Sequence, residues 1–406
     1  MAGHVQDRWY KTVNGTKVKT DRYGAGLRYR ARHIAPDGTE RSKSFPDRKK
    51  READQWLAHL QADMSRGQYF DPRAGQVTVR QFAERWLASI NMDPGTFVDT
   101  ERRIRLHVVP HLGSRMLASL RPTHIREWLR LLDERGLATA TQRVIFANLC
   151  TMLNAAVDDR IIAENPCRVS SVKAPPREIN RIVPWARERV FAVRHALPDR
   201  YGAVVDLAGG CGMRQGEVFG LAAEDIDVIG GVVHVLRQVK LIRNRPVFAP
   251  PKGGKPRTVP LPGHVSRVLA EHMTRYPPVS ITLPWRSVDG PPVAAVLLLA
   301  RPTGREVNRN DFNRHVWHPA LEAAGVEPGR RNGMHALRHF YASVLLDAGE
   351  SIKALSEYLG HHDPGYTLRT YTHLMPSSEK RTREAVDQAF ADGPVTPDGP
   401  STAPKA

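Results

Sequence analysis

The residues best suited to chemistry lie in the last fifth of the chain, where Met334-His335-Ala336-Leu337-Arg338-His339 is followed by Leu359-Gly360-His361 and then by Tyr371. This order sets one nucleophile downstream of an arginine and two histidines. A phenol with an ordinary pKa near ~10 attacks poorly at neutral pH, so a tyrosine catalyst needs neighbours that stabilise an anionic transition state. Guanidinium groups do this by donating paired, charge-assisted hydrogen bonds, and imidazole can manage protons because it titrates near the working pH. A further arginine, Arg214, stands in Gly212-Met213-Arg214-Gln215-Gly216-Glu217, after a glycine-containing break and before an amphipathic turn, a placement that aims its side chain into a cleft. In Pro251-Lys252-Gly253-Gly254-Lys255 two lysines share a glycine-rich turn, and glycine leaves the direction of Lys252 and Lys255 open.

Three kinds of element must position these groups. Residues 1–65 read as short strands, Leu27 to Ile34 and Arg41 to Phe45, joined by a turn at Pro36-Asp37-Gly38 and followed by a helix from about Lys49 to Met64. Alternation along the strands predicts that Arg28, Arg30, Arg32, Arg41 and Lys43 share one basic face. From Thr78 to about Asn165 the apolar spacing turns helical: Phe82, Trp86 and Leu87; Ile125, Trp128, Leu129 and Leu132; Val144, Ile145, Leu149, Leu153 and Val157. Pro122 stands where a first-turn proline would. The aperiodic stretch Arg168 to Pro184 reads as a linker. Beyond it come helical signals, strand-like runs at Val232 to Val239, Pro246 to Ala249 and Arg257 to Leu261, and helical patterns again. Ala391 to Ala406, rich in Pro, Gly, Ser and Thr, reads as a disordered tail.

Composition bounds the partner. The 60 Lys and Arg against 42 Asp and Glu give a formal charge of +18, spread along the chain and mostly as Arg, which favours a polyanion such as nucleic acid. The longest apolar run, Val293 to Ala300, falls far short of the ~20 residues of a membrane span, so the expectation is a soluble protein with no membrane partner. Three scattered cysteines and no signal-like N-terminus point to a reducing cytoplasm. There is no P-loop pattern, no Cys-x-x-Cys pair and no acidic cluster of the two-metal nuclease kind.

Taken together, Arg214, His335, Arg338, His361 and Tyr371 resemble, in order, spacing and flanking residues, the catalytic boxes of the tyrosine recombinases, the phage integrase family. By this resemblance Arg214 and Arg338 are the arginines that clamp a scissile phosphate, Glu217 is the supporting acidic residue, Lys252 is the hairpin lysine, His335 and His361 are the two histidines, and Tyr371 is the nucleophile. The sequence departs from the commonest box at Ala336 and Phe340, where Asp and Thr are frequent. The resemblance implies a multidomain α+β protein: an arm-type DNA-binding module of a small β-sheet plus helix (1–68), an all-α, SAM-like core-binding domain (78–167), a linker (168–184), a mainly helical catalytic domain with a small antiparallel sheet (185–390), and the tail (391–406).

It further implies metal-independent strand cleavage through a 3′-phosphotyrosyl link, with no cofactor. The link retains the bond energy, and a 5′ hydroxyl reseals it. Expected partners are double-stranded DNA attachment sites of a mobile element, a homo-tetramer on DNA exchanging strands through a Holliday junction, and an excision factor or DNA-bending protein as accessory. A DNA-binding architectural or regulatory protein on the same scaffold, and a relaxing topoisomerase, are the rival readings. Bland alternatives stand beside single residues: His335 and His339 are four apart but lack a third metal ligand, which leaves His339 a structural role; His362 is a spare; Tyr366 sits by the Asp363-Pro364-Gly365 turn, away from the box position. A terminal helix from about Ser377 to Phe390, with Ala385, Val386, Ala389 and Phe390 as its apolar stripe, either packs on its own domain or docks on a neighbouring subunit.

Overall fold

A computed structural model describes the chain except residues 1–2, 14, 36–37, 66–73, 178–180, 375–382, 385, 389 and 391–406. The chain forms two compact units, Met1–Glu178 and Ile179–Ala406. The tail falls outside the described residues, as do Ala385 and Ala389 of the terminal stripe, whereas Val386 and Phe390 are exposed, Phe390 by 85%.

In the first unit, strands His4–Asp7, Tyr29–Ile34 and Glu40–Phe45 form an antiparallel sheet with Tyr29–Ile34 in the centre. Pro36 and Asp37 lie outside the described residues, but Gly38 N–H donates to Ala35 O and closes the turn. Helix Lys50–Ser65 lies over the sheet on a core of Tyr29, Ala31, Phe45 and Ala53. The register corrects the expected basic face. Arg30 pairs with Ser44 and Arg32 with Ser42, whereas Arg41 pairs with His33 and Lys43 with Ala31. Cross-strand partners share a face, so Arg30 and Arg32 line the open side together with serines. Lys43 lies on the helix side, its ammonium 5.6 Å from the Trp56 ring. A one-residue offset between two strands is enough to divide the charges.

The helical part opens at Val79–Ser89, whose first turn is closed by a capping box: Gln81 N–H donates to Thr78 Oγ1 and Thr78 N–H donates to Gln81 Oε1. Pro94–Arg103, Pro122–Glu134 and Thr139–Asp158 follow, and Pro122 does begin its helix. Phe82, Trp128, Leu132, Ile145 and Leu149 are buried together, while Val144 is exposed. The aperiodic stretch after this unit's last helix is partly packed: Val172 joins the core, and Pro175 O accepts from Arg143 Nη1 at 2.6 Å.

The second unit is mainly helical, but it carries three small antiparallel sheets among its described residues rather than the single one expected. The strand-like run Val232 to Val239 is broken. Val232–Val235 pairs with Arg257–Pro260, while Gln238–Ile242 pairs with Arg245–Ala249. Between them Arg237 turns to the buried carboxylate of Asp225, at 2.6 Å. A third pairing, Val279–Pro284 with Pro292–Leu297, has no counterpart in the sequence reading. At the centre, helix Ala203–Gly210 is almost wholly buried and packs against helix His335–Asp347. Among the described residues no helix is long and apolar enough to cross a membrane.

Candidate active site

The site begins at a glycine that no other residue can easily replace. Gly212 has φ +62°, and an added Cβ would lie 2.5 Å from the Tyr341 ring. The chain then extends through Arg214 and enters the short helix Gln215–Phe219. Glu217, in its first turn, reaches back: Oε2 accepts the Arg214 N–H at 2.8 Å, and Oε1 accepts Arg214 Nη1 at 2.8 Å. Glu217 is fully buried, and a buried carboxylate needs charged partners. The second partner is Arg257, on the strand Arg257–Pro260, which donates to both oxygens at 2.9 and 2.7 Å. Burial alone would push Glu217 up, but the hydrogen bonds of Arg257 and the charges of Arg257 and Arg214 take it down to about 2.

The arginines converge on the end of one helix. Ile352–Leu359 stops at Gly360, which is left-handed at φ +60° and so close to Arg257 that a Cβ would lie 2.9 Å from its Cδ. Three successive carbonyls there are held by three arginines: Tyr358 O accepts from Arg257 Nε at 2.7 Å, Leu359 O from Arg338 Nη2, and Gly360 O from Arg214 Nη2 at 3.4 Å. A helix C-terminus carries unpaired carbonyls and partial negative charge, so it attracts cations.

Arg338 comes from helix His335–Asp347 and is fully buried. Its Nη1 donates to Gly212 O at 2.6 Å, its Nη2 also lies 3.2 Å from His361 Nε2, and its Nε has no partner among the described residues. Burial and the charge of Arg214 push its pKa down, to about 9, which leaves it charged at neutral pH. Because a guanidinium can only donate, His361 Nε2 accepts, which leaves the proton on Nδ1 facing Thr367 Oγ1 at 2.7 Å. Burial, then the charges of Arg338 and Arg214, lower His361 to about 3, so its ring is neutral.

Tyr371 ends the short helix Pro364–Tyr371 and is 1% exposed, against 48% for Tyr366, whose ring lies edge-on to His361. Its hydroxyl is 2.8 Å from His339 Nδ1. Burial pushes the phenol up to about 12, against the pull of Arg338 and Arg214. His335, at the head of its helix, presents an open edge to solvent; desolvation of the rest of the ring, then the charges of Arg338, Arg214 and Lys252, lower its pKa. Lys252 rides the exposed connection between strands Arg245–Ala249 and Arg257–Pro260, with its charge within reach of His335.

Arg214, Glu217, His335, Arg338, His361 and Tyr371 therefore meet in one place, with Lys252 on a loop beside them. Sequence reasoning passed over Arg257 and set His339 aside. For His339 the available signal was its position four residues after His335, on the same face of one helix; for Arg257 there was none, since its partners are remote in the chain. Among the described residues no group of three or more metal-ligating side chains is found.

Comparison with known proteins bears on this geometry. A model of the phage integrase, N-terminal SAM-like domain matches residues 78–132. A "tyrosine recombinase XerC-like" protein of Caldanaerobacter subterraneus subsp. tengcongensis is 28% identical over 333 residues, 77% of this chain and 84% of that one. The putative prophage phiRv2 integrase of Mycobacterium tuberculosis strain H37Rv is 26% identical over 369 residues, 87% of this chain and 90% of that one. In fold, the chain is similar to the Tn1549 transposon integrase in complex with circular intermediate DNA, with TM-score 0.63 at 20% identity over 76% of this chain and 99% of that one. It is also similar to the lambda integrase tetramer bound to a Holliday junction, with TM-score 0.55 at 16% identity over 82% of this chain and 93% of that one. The phage integrase family model matches residues 175–378, half of the 406-residue chain, and the chain belongs to that family, the tyrosine recombinases.

Proposed function

We propose that Arg214, Lys252, His335, Arg338, His361 and Tyr371 are the catalytic groups with which this site-specific recombinase cleaves and rejoins DNA. The observation that carries the proposal is the gathering of Arg214 and Arg338 on consecutive carbonyls beside the buried Tyr371. A phosphodiester under attack gains negative charge on its non-bridging oxygens, and two prepositioned guanidiniums stabilise that charge more than they stabilise the ground state. Tyr371 Oη bonds to phosphorus as the P–O5′ bond breaks, and Lys252 gives the leaving oxygen its proton. A 5′ hydroxyl then reverses the step, so the phosphotyrosyl link conserves the energy of the broken bond. Glu217 takes no part in bond-making; it fixes Arg214.

In the same reading, residues 1–68 act as the arm-type DNA-binding module, with Arg30 and Arg32 on its open sheet face, residues 78–167 grip the core site, residues 168–184 link the lobes, and residues 185–390 cut. The substrates are double-stranded attachment sites of a mobile element, synapsed by a homo-tetramer, with an excision factor or DNA-bending protein as accessory. The exposed Val386 and Phe390 supply an apolar surface for the neighbouring subunit. The test is a nicked suicide duplex carrying the core site, recovered from DNA flanking the gene. Covalent adducts form with the wild-type chain and vanish in Tyr371→Phe; adducts that survive the substitution refute the assignment.

A further inference from the structure

We propose that His339 is a catalytic residue of strand cleavage, its Nδ1 taking the proton from the Tyr371 hydroxyl as the phenol oxygen attacks the scissile phosphate. The inference rests on Tyr371 being the nucleophile, as set out above, and adds the group that activates it. Three histidines surround the reaction, and among the described residues one of them is hydrogen-bonded to the nucleophile. Among the described residues the hydrogen-bond partner of the Tyr371 hydroxyl is His339, at 2.8 Å. That is the separation at which a general base can act. His361 has both ring nitrogens engaged, Nε2 by Arg338 and Nδ1 by Thr367. His335 lies four residues earlier on the same helix, and its ring centroid is 4.5 Å from that of His339.

The electrostatics keep His339 ready to receive. Burial, then the neighbouring charges of His335 and Arg338, hold its pKa down, to about 3, so the imidazole is neutral and one nitrogen is an acceptor. Nδ1 faces the phenol, and in the tautomer that carries the ring proton on Nε2 the phenol is the donor and Nδ1 the acceptor. The charged and titratable groups around the pair are His335 and Arg338 on its own helix, Tyr366 on the helix of Tyr371, and Arg214. An incoming phosphodiester brings negative charge beside Arg338 and so offsets that part of the lowering, while burial, the larger cause, remains. Its basicity rises as the phenol proton must leave.

The balance is complete. The Tyr371 O–H bond breaks and its proton passes to His339 Nδ1; the Oη–P bond forms; the P–O5′ bond breaks and the 5′ oxygen takes its proton from Lys252. On resealing, His339 returns the proton to the departing phenolate oxygen.

The test uses the full chain and the same suicide duplex. In His339→Ala, affinity for the duplex in a gel shift stays at the wild-type level, and the rate of adduct formation falls by about 100-fold, the low end of what general base catalysis contributes. Added imidazole restores adduct formation in His339→Ala and does nothing in Tyr371→Phe. His339→Asn covers the case in which the alanine variant unfolds: its amide oxygen stands where Nδ1 stood, accepts from Tyr371 and holds it in place but cannot carry the proton, so cleavage is lost with melting temperature and DNA affinity retained. A His339→Asn enzyme that cleaves at close to the wild-type rate overturns the proposal, as does an imidazole-insensitive but folded His339→Ala. If instead Tyr371→Phe still forms adducts, it is the nucleophile assignment that fails.

Discussion

Replacing Glu217 by Gln keeps the shape of the side chain and removes the charge that holds two arginines together. Its carboxylate accepts four hydrogen bonds, from Arg214 N and Nη1 and from Arg257 Nη1 and Nη2. In the folded chain its pKa lies at about 2, against an ordinary value of 4.5. A folded-state pKa depressed in this way gives stability that is fully present above the unfolded value and is lost as pH falls through the folded one. At about 1.36 kcal/mol per pKa unit, the difference amounts to about 3 kcal/mol at pH 7 and, by proton linkage, about 2 kcal/mol at pH 3.5. Glu217→Gln should therefore be less stable than wild type by about 3 kcal/mol at neutral pH, a large share of the ~5–15 kcal/mol of a typical domain. The assay is urea denaturation of both proteins at pH 7, 4.5 and 3.5, following the transition that reports Trp185 and Trp317, which are stacked in the core of the second unit. The stability gap should narrow only below pH 4.5. A gap that is the same at every pH, or under about 1 kcal/mol at pH 7, would sink the claim that this carboxylate is held ionised by the arginines.

Four other outcomes follow from the same geometry. Gly360→Ala forces a left-handed alanine whose Cβ lies against Arg257; it should cost about 1–3 kcal/mol in chemical denaturation and slow cleavage while duplex affinity is kept. Thr367→Val removes the acceptor of His361 Nδ1 and strands a buried donor; adduct formation should fall by about tenfold, with Thr367→Ser restoring it, because a stranded donor costs about 1–3 kcal/mol. Lys252→Ala should stall on an ordinary duplex and recover on one with a 5′-bridging sulfur, whose thiolate leaves without a proton, while Lys255→Ala cleaves both. On arm-site DNA, Arg30→Ala and Arg32→Ala should each reduce the slope of log affinity against log salt by about 0.9, and Lys43→Ala, on the helix side of the sheet, should leave it unchanged.

What could be read in advance was whatever local spacing decides. Arg214 and Glu217 are three apart, so a helix start brings them together, and Thr78 with Gln81 or Pro122 announces a helix in the same local way. Groups joined only by the tertiary fold left no such mark. Arg257 meets Glu217 across 40 positions and Tyr358 across 101, and no periodicity encodes either approach. The strand errors have the same origin. Val232 to Val239 reads as one run, but Arg237 leaves it for Asp225 and splits it between two sheets, and the basic residues of the first sheet divide by a register that neither strand alone specifies.

The meeting of Arg257, Arg338 and Arg214 on Tyr358, Leu359 and Gly360 answers a problem that the chemistry poses. Three guanidiniums with no DNA between them repel one another, and the buried Arg338 is held below its ordinary pKa in part for that reason. Glu217 offsets part of that charge, and the carbonyl end of helix Ile352–Leu359 offsets part of the rest, so the site is assembled before a phosphate arrives. The carbonyl acceptors are neutral, whereas a phosphate meets the same guanidiniums with a charge of its own and a matching bidentate geometry. Arg214 and Arg338 can therefore turn donors to a phosphodiester while they stay anchored, and Arg338 has a buried Nε–H that pairs with nothing among the described residues. A site held this way needs little reorganisation at the moment of reaction, which is where electrostatic preorganisation lowers a barrier most.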